Sequence, residues 1–292
     1  MFNFRGIAPP AIIPFTEKGD IDGSSYRELL DWWIEQGVDA IVACGSTSEV
    51  LYLSEEERIK AIEITVDHVD GRVPVIAGTG YPGTSDTIRM MARAKDIGVQ
   101  AALAITPFYY PLSQEEIEGH FRELVENVDL PIILYHVPKF THVDLLPETV
   151  ERLSNLDQII GIKESSGDMG SIQKTINLTE GNDFSVLSGS GNLLFNVLYC
   201  GGQGGILALA NLLPEKCVEI HELHKVGKLK QARGLNFRIM DINRMITSKY
   251  GIAGVKAAMA MRDLPSGHTR SPIKELSPQS KEELRSELGK AL

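Results

Sequence analysis

A lysine directly follows a stretch of apolar residues that has the composition of a buried strand. The stretch covers residues 158–162, and Lys163 comes next. Burial favours the neutral form of an amine, and a neutral amine can attack a carbonyl carbon to form a Schiff base. The alternatives are a solvated surface amine, the ordinary state of a lysine, and a buried ion pair with Glu164. Neighbours on a strand face opposite ways, so the pattern favours nucleophilic chemistry at Lys163 over the ion pair.

Hydroxyl groups follow two other apolar runs. Tyr135 could relay protons during imine formation and carbon–carbon bond cleavage, or it could be an aromatic residue whose hydroxyl is satisfied elsewhere. Ser46 and Thr47 lie in a turn before a helix, where hydroxyls and loop N–H groups suit a carboxylate or a phosphate. A helix cap is the alternative for these two residues. If the runs are neighbouring strands, all these groups share one rim with Lys163.

Short apolar runs alternate with amphipathic stretches along the chain. The runs are often β-branched and lack alternation of apolar and polar residues, as in a parallel sheet covered on both faces. Eight runs alternating with helices predict an α/β fold of the (β/α)₈ TIM-barrel class. An open doubly wound sheet is the alternative, but no GxGxxG motif follows the first run. The runs span residues 7–13, 40–44, 73–77, 101–105, 131–135, 159–163, 184–187 and 204–209.

Helix signals separate these runs. Ser54 and Ser113 each precede a glutamate-rich turn and predict a capping box. After residue 225 the apolar runs end, and three helical stretches follow. We therefore predict a catalytic barrel over residues 1–225 and a C-terminal helical extension over residues 226–292. The predicted helices lie at 22–36, 54–69, 84–97, 113–128, 145–154, 168–180, 191–200, 214–225, 228–250, 253–262 and 280–288.

Strand parity predicts the direction of the lysine side chain. Lys163 and Gly161 share one face of their strand. If Ile160 and Ile162 face the helices, Lys163 points into the barrel. Tyr135 has the parity of an inward position on the preceding strand. In barrels of this class the chemistry gathers where strands end and loops begin, which is where these residues lie.

Composition excludes several classes of protein. The net charge is −10, from 29 basic and 39 acidic residues, which argues against a nucleic-acid partner. No apolar run approaches the ~18–20 residues of a membrane helix, and the N-terminal stretch predicts no signal peptide. The three cysteines and the histidines lack metal-ligand spacing. We expect a cytoplasmic protein without a metal or other cofactor.

The motifs together resemble the dihydrodipicolinate synthase/N-acetylneuraminate lyase family of pyruvate-dependent class I aldolases. The resemblance extends along essentially the whole chain. It rests on residues 45–49 (GSTSE), Tyr109, residues 135–138 (YHVP), 161–165 (GIKES), 188–189 (SG) and 201–206 (GGQGGI).

The resemblance implies roles for individual residues. Lys163 would condense with the ketone of pyruvate or another 2-oxo acid, and Tyr135 would transfer protons. Ser46 and Thr47 would hold the pyruvyl carboxylate, and Ser46 would join a hydroxyl relay with Tyr109. In this family that tyrosine commonly reaches a neighbouring subunit within a homotetramer, a dimer of dimers. Gly189 and Ile206 would line the pocket.

Departures from the family pattern bear on the substrate. Ser48 replaces a usual glycine in the carboxylate loop, which puts the pocket shape in question. Phe140 stands where synthases usually carry an arginine for the aldehyde's carboxylate, and Lys139 is the nearest cation in sequence. The segment 108–111 looks nearer the lyase and sugar-acid aldolase branches. These departures favour a pyruvate-forming aldolase of 2-keto-3-deoxy sugar acids. Dihydrodipicolinate synthase and a non-catalytic binder of 2-oxo acids are the alternatives.

Overall fold

Eight parallel strands form one sheet in a computed structural model that describes residues 2–292. The hydrogen-bonded order runs β1-β8-β7-β6-β5-β4-β3-β2, and a parallel bridge between Pro10 and Val42 joins the two ends. The sheet is therefore a closed barrel, and the open doubly wound alternative is excluded. The strands are β1 (Gly6–Ala8), β2 (Ile41–Ala43), β3 (Val75–Gly78), β4 (Ala101–Ile105), β5 (Ile132–His136), β6 (Ile159–Glu164), β7 (Ser185–Ser188) and β8 (Gly204–Ile206).

Helices follow the strands and cover the barrel. Both predicted capping boxes form. The side chains of Ser54 and Ser113 accept a hydrogen bond from the backbone N–H three residues later, and the carboxylates of Glu57 and Glu116 accept from the N–H of the two serines. The helices are α1 (Gly23–Glu35), α2 (Glu55–Val69), α3 (Thr84–Ile97), α4 (Gln114–Asn127), α5 (Pro138–Thr141), α6 (Pro147–Leu153), α7 (Met169–Leu178), α8 (Leu194–Tyr199), α9 (Pro214–Lys225), α10 (Leu229–Arg244), α11 (Gly251–Ala260) and α12 (Pro278–Ala291).

Two apolar clusters divide the core. The larger lies between the strands and the helices, and the smaller fills the barrel. The inner cluster includes Val42, Leu103, Ile133, Leu187 and Ile206, all from strands. A packed interior leaves room for a ligand only at the ends of the barrel, where strands give way to loops.

One prediction about strand β6 is wrong. Ile160 belongs to the inner cluster, whereas Ile162 faces the helices. The cause is a register shift against β5: Ile132 pairs with Ile159, but Ile133 pairs with Gly161. Such a bulge reverses the parity of the residues before it, so Lys163 still has the inward parity.

The C-terminal region packs on the barrel. Helix α10 contacts α8 and α9, and Asn243 donates from Nδ2 to Asn192 Oδ1 at 2.9 Å. The predicted helix over 228–250 is two elements, because α10 ends at Arg244 and a π-helical turn covers Met245–Lys249. The division into two units at residue 225 stays a prediction. Among residues 2–292, no helix combines the length and apolarity needed to cross a membrane.

Candidate active site

Lys163 and Tyr135 meet at the end of the barrel. They stand opposite each other in the register of β5 and β6. The Lys163 Nζ lies 4.2 Å from the centroid of the Tyr135 ring. Only 4% of Lys163 and 6% of Tyr135 are exposed. The sequence placed both residues at one rim, and their side chains are in contact there.

Glu164 binds a histidine and not the neighbouring lysine. His136 Nδ1 lies 2.8 Å from Glu164 Oε2, and the Ser166 N–H donates to Oε1 at 2.7 Å. The His136 Nε2 accepts from the N–H of Leu145 at 3.2 Å, so the proton of the neutral ring sits on Nδ1 and is donated to Glu164. Because this pair lies behind Lys163 and Tyr135, it ties the two strands together at the level of the site.

The loop over residues 45–49 carries two candidate carboxylate ligands. Ser46 and Thr47 are half-buried on a 3₁₀ turn, Ser46–Ser48, that follows β2. Ser48 is buried beside these two residues. Its buried hydroxyl donates to the Ala11 carbonyl at 2.5 Å, and the left-handed backbone falls on the next residue, Glu49, at φ 58°. The extra side chain therefore anchors the loop to the segment after β1.

Gly189 lies beside β6, the strand that carries Lys163. Ile206 lies in the barrel interior. The Gly189 N–H donates to the Glu164 carbonyl at 2.7 Å. A Cβ on Gly189 would lie 2.8 Å from the backbone carbonyl oxygen of Glu164, so a larger residue would displace the end of β6. Ile206 is fully buried in the same inner cluster as Tyr135. Their place in the lining of the site stays a prediction.

Tyr109 and Phe140 are exposed in the single chain. Tyr109 is 82% exposed, has a φ of 85°, and packs its ring edge-to-face on Tyr110 at 5.1 Å. Phe140 is 58% exposed on α5, and Lys139 Nζ lies 5.7 Å from its ring centroid. The structure of one chain does not bring Tyr109 to Lys163.

The sequence did not predict the observed partners of three residues around the site. His136 and Glu164 form the buried pair behind Lys163, and Lys256 of α11 reaches Glu49. Lys256 had a signal: it is a lone charge within an otherwise apolar helix, GIAGVKAAMA. A charge in such a helix is buried and needs a partner.

The fold and the paired lysine and tyrosine define a class I aldolase, a carbon–carbon lyase that acts through a lysine Schiff base. Within residues 2–292, no three or more histidine, cysteine, aspartate or glutamate side chains cluster as metal ligands would.

Comparison with known proteins names the family. The model of the dihydrodipicolinate synthetase family matches residues 3–291. The chain is 37% identical over 281 residues to a 4-hydroxy-tetrahydrodipicolinate synthase of Thermodesulfovibrio yellowstonii, covering 96% of each sequence. The solved dihydrodipicolinate synthase of Thermotoga maritima is 32% identical with a TM-score of 0.96, covering 99% of both chains. The E. coli K12 prophage protein YagE, solved in complex with pyruvate, is 30% identical with a TM-score of 0.94, covering 99% of this chain and 98% of YagE. The chain belongs to the dihydrodipicolinate synthetase family.

The comparisons correct one prediction. The chain is not nearer the lyase and sugar-acid aldolase branches, because relatives 35% to 39% identical over almost their whole length are named synthases. The misleading residues were Phe140 and the segment 108–111. Phe140, Tyr109 and Tyr110 are all exposed, and exposed loops vary in sequence more freely than the elements they connect.

Proposed function

We propose that this chain is a 4-hydroxy-tetrahydrodipicolinate synthase, which condenses pyruvate with aspartate semialdehyde. The observation that carries the proposal is the buried Lys163 Nζ, 4.2 Å from the Tyr135 ring at the end of the barrel. The names of the relatives support the choice of the second substrate.

The first step is attack of the neutral Lys163 amine on the ketone carbon of pyruvate. Loss of one water gives an imine, whose positive nitrogen draws electrons from the adjacent methyl group. A base then removes a methyl proton and leaves an enamine. We infer that the Tyr135 hydroxyl carries the protons of these steps, because its ring lies against the amine, with Nζ 4.2 Å from the ring centroid.

The second step forms the carbon–carbon bond. The enamine carbon attacks the aldehyde carbon, and the aldehyde oxygen takes up a proton to become a hydroxyl. The amino group of the second substrate then attacks the imine carbon and displaces Lys163, which closes a ring and frees the enzyme. The net reaction releases one water, and that water leaves in the first step.

The loop over residues 45–49 supplies the carboxylate site. Ser46 and Thr47 offer hydroxyls and backbone N–H groups on the turn after β2. Gly189 packs closely against the end of β6, and Ile206 lies in the inner apolar cluster below the site. These contacts hold pyruvate with its ketone toward Lys163, so that attack is effectively intramolecular.

A direct comparison of aldehydes tests the proposal. We expect kcat/KM with pyruvate and aspartate semialdehyde to exceed that with pyruvate and glyceraldehyde. Mass spectrometry of the product should show the sum of both substrates less one water. The opposite preference, for the polyhydroxy aldehyde, would contradict the proposal.

Phe140 offers a gain-of-function test. A carboxylate that leaves water needs a cationic partner, and Phe140 provides none. A charged hydrogen bond contributes about 1.5–3 kcal/mol, so Phe140→Arg should raise kcat/KM for aspartate semialdehyde by roughly ten- to a hundredfold. Phe140→Leu is the control and should change little. If Phe140→Arg gives no gain, another cation serves the carboxylate, and a loss in Lys139→Met would identify it.

The assembly we propose is a homotetramer in which Tyr109 enters the site of a neighbouring subunit. A non-glycine residue at φ 85° is strained, and 82% exposure leaves its ring uncovered in the single chain. Both observations suit a side chain held by a partner.

The location we propose for the protein is the cytoplasm. Its three cysteines are free, which fits a reducing compartment.

Removal of the Tyr109 hydroxyl should affect turnover more than binding. Tyr109→Phe should lower kcat about a hundredfold with a smaller change in KM for pyruvate, because proton transfer typically contributes 10²–10⁴-fold. Tyr110→Phe is the matched control on the adjacent exposed ring. Steady-state kinetics and light scattering check the idea together. A fully active monomer would rule out the borrowed tyrosine.

A further inference from the structure

A buried ion pair joins the C-terminal region to the carboxylate loop. Lys256 Nζ of α11 lies 2.7 Å from Glu49 Oε1, and the side chains are 3% and 0% exposed. Glu49 directly follows the turn that carries Ser46 and Thr47. Removing one partner of such a pair leaves a buried charge without compensation, so the two residues hold each other in place.

The same carboxylate has a second bond from the C-terminal region. The backbone N–H of Arg270 donates to Glu49 Oε2 at 2.7 Å. Lys256 Nζ in turn donates to the His268 carbonyl at 2.6 Å. The Phe15 ring packs against both cations, with Lys256 Nζ and Arg270 Cζ each 4.4 Å from its centroid. Glu49 thus has an ion pair at one oxygen and a hydrogen bond at the other, both with residues far away in sequence.

The backbone of the loop is strained at both ends. Cys44 has a φ of 56° and Glu49 a φ of 58°, the left-handed region that side chains disfavour. Strained non-glycine residues persist only where their surroundings over-determine them, and they cluster at functional sites. The ion pair is one of the contacts that hold Glu49 in this conformation.

We propose that Lys256 is a positioning residue for pyruvate, which acts through Glu49 to hold the turn Ser46–Ser48 in its binding geometry. This inference rests on the proposed function, because it takes Ser46 and Thr47 as the carboxylate ligands. It gives the C-terminal region a part in substrate binding without contact to the substrate.

The charge of Lys256 makes the proposal sensitive to pH. Burial lowers the pKa of Lys256 from 10.5 to about 8, the charge and hydrogen bond of Glu49 oppose this, and the Arg270 cation adds to it. Below this pKa the amine is charged and the pair is intact. Above it the amine is neutral, Glu49 loses its cationic partner, and the turn is held less firmly, by the remaining contacts such as the Arg270 N–H. Pyruvate binding should therefore weaken as the pH rises through this pKa.

The experiment measures the pyruvate concentration that half-saturates borohydride trapping on Lys163, read by mass spectrometry across a pH series. In the wild type this concentration should rise on the order of tenfold between about one pH unit below and one pH unit above the Lys256 pKa. The effect should be smaller than the ~100-fold loss that a 1 Å misplacement can cause, because the turn keeps its other contacts. Lys256→Arg keeps the cation at every pH, so the rise should disappear. Glu49→Gln removes the carboxylate that pairs with Lys256. The half-saturating pyruvate concentration should then be higher than in the wild type and should not change with pH.

Controls separate the inference from the proposed function. Lys281→Arg changes an exposed lysine of α12 paired with Glu275 and should keep the wild-type profile. Thr47→Val should weaken trapping at every pH and retain the rise. If Lys256→Arg fails to fold, the pH profiles of pyruvate trapping in Glu49→Gln and in the double variant Glu49→Gln/Lys256→Met test the proposal instead.

Two distinct results would overturn these ideas. If the half-saturating pyruvate concentration rises with pH in Glu49→Gln as it does in the wild type, Lys256 is not a positioning residue. The proposed function is unaffected by that result. An absent adduct on Lys163, or a Thr47→Val variant that traps pyruvate like the wild type, would instead remove the proposed function or its carboxylate loop, and this inference with it.

Discussion

The Lys163→Ala variant is expected to lose turnover entirely and to fold like the parent chain. Removal of a catalytic nucleophile can cost about 10⁶-fold in kcat, and Lys163 is the amine that lies against Tyr135. The fold should tolerate the change, because the neighbouring Glu164 keeps its bonds to His136 and Ser166. Circular dichroism and thermal unfolding would check the fold, and product formation would check turnover.

Chemical trapping identifies the nucleophile independently of turnover. Pyruvate and borohydride should add one reduced pyruvyl group to Lys163 in the wild type and none in Lys163→Ala. Lys163→Arg should also be inactive, because a guanidinium stays protonated and does not attack a ketone. Lys174→Ala alters an exposed, ion-paired lysine of α7 and serves as the control. An adduct on any lysine other than Lys163 would contradict the assignment.

The Tyr135→Phe variant should show the second largest loss, about 10²–10⁴-fold in kcat, which is the usual contribution of general acid–base catalysis. The phenyl ring stays in the inner cluster, so the packing around Lys163 is kept and only the hydroxyl is removed. Because the hydroxyl moves protons, the loss should fall on kcat more than on KM for pyruvate.

A second buried tyrosine provides a matched control. Tyr26 is fully buried on α1, and its hydroxyl lies 2.9 Å from Thr65 Oγ1, away from the lysine. Tyr26→Phe makes the same chemical change and should lower stability by about 1 kcal/mol while leaving kcat unchanged. If Tyr135→Phe were as active as Tyr26→Phe, the hydroxyl of Tyr135 would have no part in proton transfer.

The eight strands could be predicted because parallel strands in a barrel are buried on both faces and therefore consist of apolar runs. The runs at 101–105 and 159–163 match β4 and β6 closely. The bulge in β6 could not be predicted, since a register shift depends on the partner strand. It moved Ile160 to the inner face without disturbing the inward parity of Lys163.

The candidate site was predictable where its residues are adjacent to strand ends. Lys163, Tyr135, Ser46 and Thr47 all follow this rule. The partner of Glu49 could not be found in this way, because Lys256 lies on a helix far along the chain and reaches the loop only through tertiary packing. Phe140 gave a wrong prediction of the substrate because it is exposed, and an exposed position carries little information about the branch of a family.

The bonds to Glu49 also set the order in which the protein matures during synthesis. Arg270 follows Glu49 by 221 residues, and a ribosome adding 5–20 residues per second needs roughly 10–45 seconds to cover that distance. All eight strands and Lys163 precede Lys256 in the chain. A nascent barrel can therefore close around its lysine while the loop beside it still lacks its final bonds. Translation of α11 and of the segment through Arg270 supplies these bonds.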